Sequence, residues 1–213
     1  MQFWYFVLQM FGKLICIPII NFFLILEVSG RENAEIIEGP LIITPNHKSY
    51  LDHFLIGAAL PFNFKLFPIR AMADIVQMNR SLVGLGIRIL GGFAAKTKGR
   101  NLNELFDVPE KILKNKGVVL LYPEGSMFKD AKIHKLKSGA AELALRTSAN
   151  ILPAAISGLD CFSLNDLPGL IFARRKIKIS FGEAFSADRR YNRKELTKKI
   201  ENEIRALYDP SYN

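Results

Sequence analysis

The sequence predicts an α/β fold, with a mainly parallel or mixed sheet flanked by helices and an N-terminal hydrophobic helical membrane segment. Three observations predict it. Short apolar runs, LIIT (41–44), VVLLY (118–122) and ILPAAIS (151–157), are bounded by Pro, Gly or polar residues and fit strands buried on both faces. Helix-length segments lie between them, the alternation that makes parallel sheets. The first 26 residues carry a single charge, Lys13.

Taken in order, that N-terminal run is long enough to span a bilayer core of about 30 Å. Gly12-Lys13 and Pro18 interrupt it, leaving two stretches that are each too short. A tilted span, a helical pair embedded in one leaflet and a hydrophobic helix packed on the domain are the three readings, and the central break favours the in-plane pair. No basic stretch precedes the run, which argues against a signal peptide. Residues 1–27 are thus expected to anchor the chain to a membrane, and residues 28–213 to form the α/β domain. After a polar connector from Glu27, Leu41–Thr44 reads as a strand and Ser49–Leu60 as a helix ended by Pro61. Phe64–Ile69 reads as a strand, Ser81–Leu90 as a helix stopped by Gly91-Gly92, and Leu102–Lys116 as a helix stopped by Gly117. Val118–Tyr122 is a buried strand, Ser138–Thr147 a helix, 151–157 a strand, and KIKISFG (176–182) a half-exposed strand. A basic amphipathic helix, Arg193–Tyr208, closes the chain.

Apolar residues make up 49% of the 213, enough for one core-forming domain. The net charge of +9 is concentrated, with ten Lys/Arg against three acids between Arg174 and Lys199. Such a surface attracts anionic lipid, phosphorylated substrates, an acidic carrier protein or nucleic acid. No aromatic-basic recognition motif accompanies the charge, so nucleic acid is not expected as a partner. Cys16 and Cys161 stand apart, without metal-ligand spacing, and read as reduced thiols of a cytosol-facing protein. Neither a metal nor a cofactor is expected.

Two strands end in chemically capable loops, the first into PNHKSYLD (45–52) and the second into PEGS (123–126). Ligands bind beyond the C-terminal ends of parallel strands, so His47 and Glu124 are expected on one rim. In a regular helix, the His47–Asp52 spacing would put the two side chains about 140° apart. They can pair only if His47 lies on the loop and Asp52 in the first helical turn. Ser49 as N-cap, with Asp52 three residues on, gives that arrangement. The same features serve an ordinary helix start. As a dyad, Asp52 would orient the imidazole and His47 would take a proton from a hydroxyl. Thr44 and Ser49 are poor nucleophiles here, so a substrate hydroxyl or water is indicated. Gly125 allows close approach to a ligand and Glu124 accepts hydrogen bonds. The basic loops 96–100 and 129–137 suit a phosphate-bearing substrate.

These blocks resemble the glycerolipid acyltransferase family, of the 1-acylglycerol-3-phosphate type with the H-x4-D motif. NHKSYLD (46–52) is similar to its N-H-x-S-x-x-D block, YPEGS (122–126) to F-P-E-G-T/S, LKSGAAELAL (136–145) to K-x-G-A-x-x-L-A, and ILPAAISG (151–158) to V-P-V-x-I-x-G. The order agrees over roughly residues 28–185. The resemblance implies acyl transfer from acyl-CoA or acyl-carrier protein to the hydroxyl of a lysophospholipid-type acceptor, without a metal. It implies a membrane-associated enzyme, its site facing the cytoplasm, with membrane lipids as partners. Under it His47 is the general base and Asp52 its orienter. Asn46, Ser49, Lys96, Lys98, Arg100, Glu124, Gly125, Ser126 and Lys137 make up the expected substrate-binding set. Two positions depart from the pattern: Lys96 stands where Arg is usual, and Met127 follows PEGS where a basic residue is usual. Lysine lacks the bidentate fork of arginine, so the acceptor's phosphate is held differently or is absent. The alternatives are a non-catalytic phospholipid-binding membrane protein and an esterase or thioesterase that uses water.

Overall fold

The computed structural model describes residues 2–37, 39–79, 81–95, 102–128, 130–159, 175–188 and 190–212. Its strands are β1 (Ile25–Ser29), β2 (Leu41–Pro45), β3 (Ile69–Asp74), β4 (Phe93–Ala95), β5 (Val118–Leu120), β6 (Asn150–Ser157), β7 (Lys176–Phe181) and β8 (Phe185–Ser186). The helices are α1 (Gln2–Phe23), α2 (Glu32–Glu35), α3 (Asp52–Ala59), α4 (Ile75–Met78), α5 (Ser81–Ile89), α6 (Leu102–Lys114), α7 (Gly139–Thr147) and α8 (Arg193–Leu207). The sheet order is β1-β7-β6-β2-β5-β3-β4, with β8 paired to β6. Strands β2 to β6 run parallel, while β7 and β8 oppose β6 and β1 follows β7. The sheet is therefore mixed and flanked by helices, as expected.

Successive residues of the central strands enter opposite cores, which is why those strands read as unbroken apolar runs. Ile43, Leu120 and Leu152 join Leu55, Ile56 and Phe181 on one face. Ile42, Val119 and Ile151 join Phe106, Leu143 and Leu196 on the other. Each such Leu or Ile contributes roughly 1.5–3 kcal/mol by leaving water. A capping box between Asn192 and Glu195 starts α8.

The structure differs from the sequence reading in several elements. The strand placed at Phe64–Ile69 begins only at Ile69: Phe64 is exposed, and Pro68 has no N–H to give a ladder. Short strands β4 and β8 carry too few residues to show a period. The N-terminal run, expected to break at Gly12-Lys13 and Pro18, forms one helix with Pro18 inside it. Tertiary contacts offset the donor that Pro18 lacks. Gln9 Nε2 donates to the carbonyls of Ile69 (2.8 Å) and Leu90 (2.7 Å), and its Oε1 accepts from Ile69 N (2.8 Å). Lys13, buried between the rings of Phe62 and Phe67, donates from Nζ to the Leu60 carbonyl. Burial first, and then the Arg31 charge, lower the Lys13 ammonium to about 8. Helix α1 thus lies along the domain, and β1 starts at Ile25, inside the segment assigned to the anchor.

Gln9→Leu leaves the amide and carbonyl of Ile69, at the start of β3, and the Leu90 carbonyl without their side-chain partner. Urea denaturation is expected to show a loss of about 2 kcal/mol, with faster proteolysis near α1; an unchanged midpoint would mean that α1 is held by apolar packing alone.

Candidate active site

Strands β2 and β5 are paired in parallel with Ile43 opposite Leu120. His47 and Glu124 each lie four residues beyond that pair, so the register alone carries both loops to one rim. The Leu121 N–H, donating to the Ile43 carbonyl at 3.0 Å, extends the ladder toward them.

Asp52 is fully buried at the first turn of α3. Its Oδ2 accepts from the amides of Lys48 (2.7 Å) and Ser49 (3.0 Å), and its Oδ1 from the Ser49 hydroxyl (2.8 Å). The fourth contact is His47 Nδ1, at 2.8 Å from Oδ2. Because Oδ2 already faces two amide donors, the imidazole proton belongs on Nδ1, leaving Nε2 with its lone pair. Ser49 Oγ also accepts from Leu51 N at 3.0 Å, so the turn precedes the helix and α3 starts at Asp52 rather than Ser49. Ser49 is therefore not the N-cap: its amide and hydroxyl both donate to Asp52, while the Asp52 amide meets the Ser49 carbonyl at 3.4 Å and not the Ser49 hydroxyl.

His47, one-fifth exposed, is held from two other sides. Its amide donates to Glu124 Oε1 at 3.0 Å, and its ring stacks on Tyr122 with centroids 4.0 Å apart. Glu124 Oε2 accepts from the His134 amide at 2.9 Å. Both Glu124 oxygens thus bracket two loops, and the side chain is buried. Asn46 is similarly committed: its amide donates to the Ile156 carbonyl (2.9 Å) and accepts from Ile156 N (2.7 Å). Asn46, Ser49 and Glu124, expected in the substrate-binding set, have side-chain polar atoms hydrogen-bonded within the protein, where they also position the loops.

Gly125, Ser126 and Lys137 remain exposed at the rim. Gly125 takes a φ of +70°, which favours glycine, in a turn closed by its N–H on the Tyr122 carbonyl (3.1 Å). Lys137 Nζ lies 3.4 Å from the Gly125 carbonyl, and Ser126 Oγ donates to that same carbonyl at 2.8 Å. Lys96, Lys98 and Arg100 lie outside the described residues, as does Cys161. A cavity of about 430 Å³ between α1, β1, α2 and α3, lined by Ile17, Leu26, Arg31 and Phe62 among others, is separate from this rim.

Sequence reasoning passed over Lys48. It is fully buried, and Nζ donates to the carbonyls of Asp130 (2.7 Å) and Lys132 (2.6 Å). Nothing in its charge suggested burial. His134, read as a surface residue, pairs Nε2 with Asp130 at 2.9 Å and stacks on Phe128. That hydrogen bond, above all, holds the Asp130 carboxyl below its usual range.

The sequence model of the Acyltransferase family matches residues 25–157, more than half of the chain and including both rim loops. The chain belongs to that family. A chloroplastic 1-acyl-sn-glycerol-3-phosphate acyltransferase of Arabidopsis thaliana is 23% identical over 133 residues, which are 62% of this chain and 36% of that protein. A chloroplastic counterpart from Brassica napus is 22% identical over 132 residues, 62% of this chain and 37% of that protein. The match therefore spans little more than a third of these relatives. The crystal structure of the 1-acyl-sn-glycerophosphate (LPA) acyltransferase PlsC from Thermotoga maritima shares the fold, with a TM-score of 0.69 at 20% identity over 93% of this chain and 78% of that one. The family's matched segment contains the His47–Asp52 pair, Tyr122 and Glu124, and ends at Ser157, the last residue of β6.

Lys48→Met leaves two loop carbonyls without their ammonium donor. Stability is expected to fall by about 2 kcal/mol, with loosened amide exchange in residues 130–134; full protection there would show that the lysine is not what pins the loop.

Proposed function

We propose that this protein is a membrane-bound O-acyltransferase. It moves a fatty acyl group from acyl-CoA or acyl-carrier protein to the hydroxyl of a lysophospholipid-type acceptor, 1-acylglycerol-3-phosphate or a relative of it. The observation that carries this is the Asp52–His47 dyad on a rim where no described protein hydroxyl is hydrogen-bonded to the imidazole. Ser49 is bonded to Asp52, Tyr122 to His53 and Ser126 to its neighbouring carbonyl. A base with no protein nucleophile acts on a hydroxyl from outside.

In the reaction, His47 Nε2 removes the acceptor's hydroxyl proton as the oxygen attacks the thioester carbonyl. Asp52 stabilises the imidazolium. The tetrahedral intermediate collapses with cleavage of the C–S bond, and the imidazolium returns its proton to the departing thiolate. The products are an ester and a free thiol, and no acyl-enzyme forms. Lys137, exposed beside Gly125, supplies a cation for an acceptor phosphate, with Lys96, Lys98 and Arg100 as further candidates. The names of the relatives support this acceptor class.

The membrane reading rests on α1. Its 21 residues from Phe3 to Phe23 are long and apolar enough to cross a bilayer. Gln9 and Lys13 nevertheless tie one face to the domain, while Phe3, Trp4, Phe11, Leu14 and Phe22 stand exposed on the helix. Exposed Phe64 packs on Phe6 and extends that apolar surface. A helix bound along its length to a folded domain lies in one leaflet, with its free face among the acyl chains. That the site faces the cytoplasm is proposed from the family resemblance alone.

Purified protein in mixed micelles, given labelled acyl thioester and a lysolipid panel, is expected to form diacyl product. His47→Ala should lower turnover by at least about a thousandfold and Asp52→Asn by about a hundredfold or more, with unfolding midpoints preserved for His47→Ala. Product formation indifferent to His47 would sink the mechanism, and free fatty acid as the only product would favour a hydrolase. For the helix, a fluorophore attached to single cysteines at Phe3, Phe11 and Phe22 in a Cys16→Ser, Cys161→Ser background should be quenched by lipid-borne quenchers at one common depth. A depth greatest at Phe11 and shallow at both ends would establish a span.

A further inference from the structure

Beneath the His47 imidazole lies the Tyr122 ring, nearly parallel to it, with an interplanar angle of 20° and centroids 4.0 Å apart. The far end of that ring is tied as well. Tyr122 Oη lies 3.2 Å from Nδ1 of His53, the residue after Asp52 in the first turn of α3. The His53 ring stands edge-on to His47 at 6.4 Å and tilted against Tyr122 at 5.1 Å. Three rings therefore close a triangle between the loop after β2, the end of β5 and the start of α3.

Both supporting groups are neutral at physiological pH. Burial, then the Asp52 charge, hold the Tyr122 phenol well above its usual range. Burial, then the His47 charge, lower His53 to about 4, against the opposing pull of Asp52. A neutral hydroxyl and a neutral imidazole make a hydrogen bond that survives across the working range of an enzyme, and it fixes the phenol in one rotamer. The Asp52 contact constrains His47 at a single ring nitrogen and leaves the plane of the ring free to rock about that bond. The stack removes that freedom.

We propose that Tyr122, held by His53, is a positioning residue for His47, one that fixes the plane of the imidazole and offers its π face to the imidazolium formed when a proton is taken. This rests on the reading of His47 as general base. The face of an aromatic ring attracts a cation, and the attraction appears only when the base is charged. It therefore favours the transition state over the resting enzyme and acts on kcat rather than KM.

The test is to replace Tyr122 with Phe and then with mono-, tri- and pentafluorinated Phe, which withdraw ring electron density at nearly constant shape. Along the fluorinated series kcat is expected to fall stepwise, by about tenfold in all, with KM within about twofold. A merely structural ring would give no such order, and a flat series overturns the proposal. A double-mutant cycle checks the tie: Tyr122→Phe, His53→Phe and the pair combined are expected to lose kcat to the same extent, whereas additive losses refute the coupling. His47→Ala is measured alongside. If it abolishes turnover while the series is flat, the ring proposal fails and the base survives; turnover that survives His47→Ala overturns both.

Discussion

A carboxylate cut off from water must find donors for its lone pairs, and Asp52 takes them from three consecutive residues of the loop before it. The amides of Lys48 and Ser49, the Ser49 hydroxyl and the His47 imidazole converge on one side chain. That convergence folds residues 47–49 back over the start of α3, so a spacing that would separate His47 and Asp52 within a helix brings them into contact. The imidazole's tautomer, the helix start and the direction of the free ring nitrogen follow from the same four contacts.

The other buried charges extend this arrangement outward. Glu124 spends both oxygens on the amides of His47 and His134. Lys48 spends its ammonium on carbonyls at 130 and 132. Each replaces solvation by hydrogen bonds to backbone groups, so removing one partner leaves a buried charge or a loop amide unmatched. The result is a loop pair fastened from above and below, with Gly125, Ser126 and Lys137 left exposed at its edge. Such an arrangement suits the proposed role of holding a flexible amphiphile by its polar end.

Under the proposed membrane attachment, helix α1 sets the orientation of the domain. It packs on α3, and α3 begins at Asp52, so the apolar surface and the rim belong to one rigid assembly. Lys13 would be costly in a lipid-facing helix; turned inward, it is satisfied by a carbonyl and two aromatic rings. The exposed face of α1 is left without charge, which is the composition a leaflet requires.

The sequence by itself determined the alternation of strands and helices, because residues buried on both faces must be apolar whatever surrounds them. It also determined that His47, Asp52 and Glu124 share one rim, since they follow strands whose parallel pairing puts their ends together. What it could not determine were matters of partnership. The sequence marked Gly12-Lys13 and Pro18 as a break, but Gln9 and Lys13 found carbonyls on the domain and the helix ran through. Asn46 and Glu124 looked like substrate ligands, yet their polar atoms were claimed by backbone groups 110 and 77 residues away or by the loop at His134. Lys48 drew no reading from the sequence and is fully buried. Local pattern reports how much of a residue prefers to leave water; which group satisfies a buried polar atom is settled by contacts distant in sequence, and only the tertiary structure supplies those.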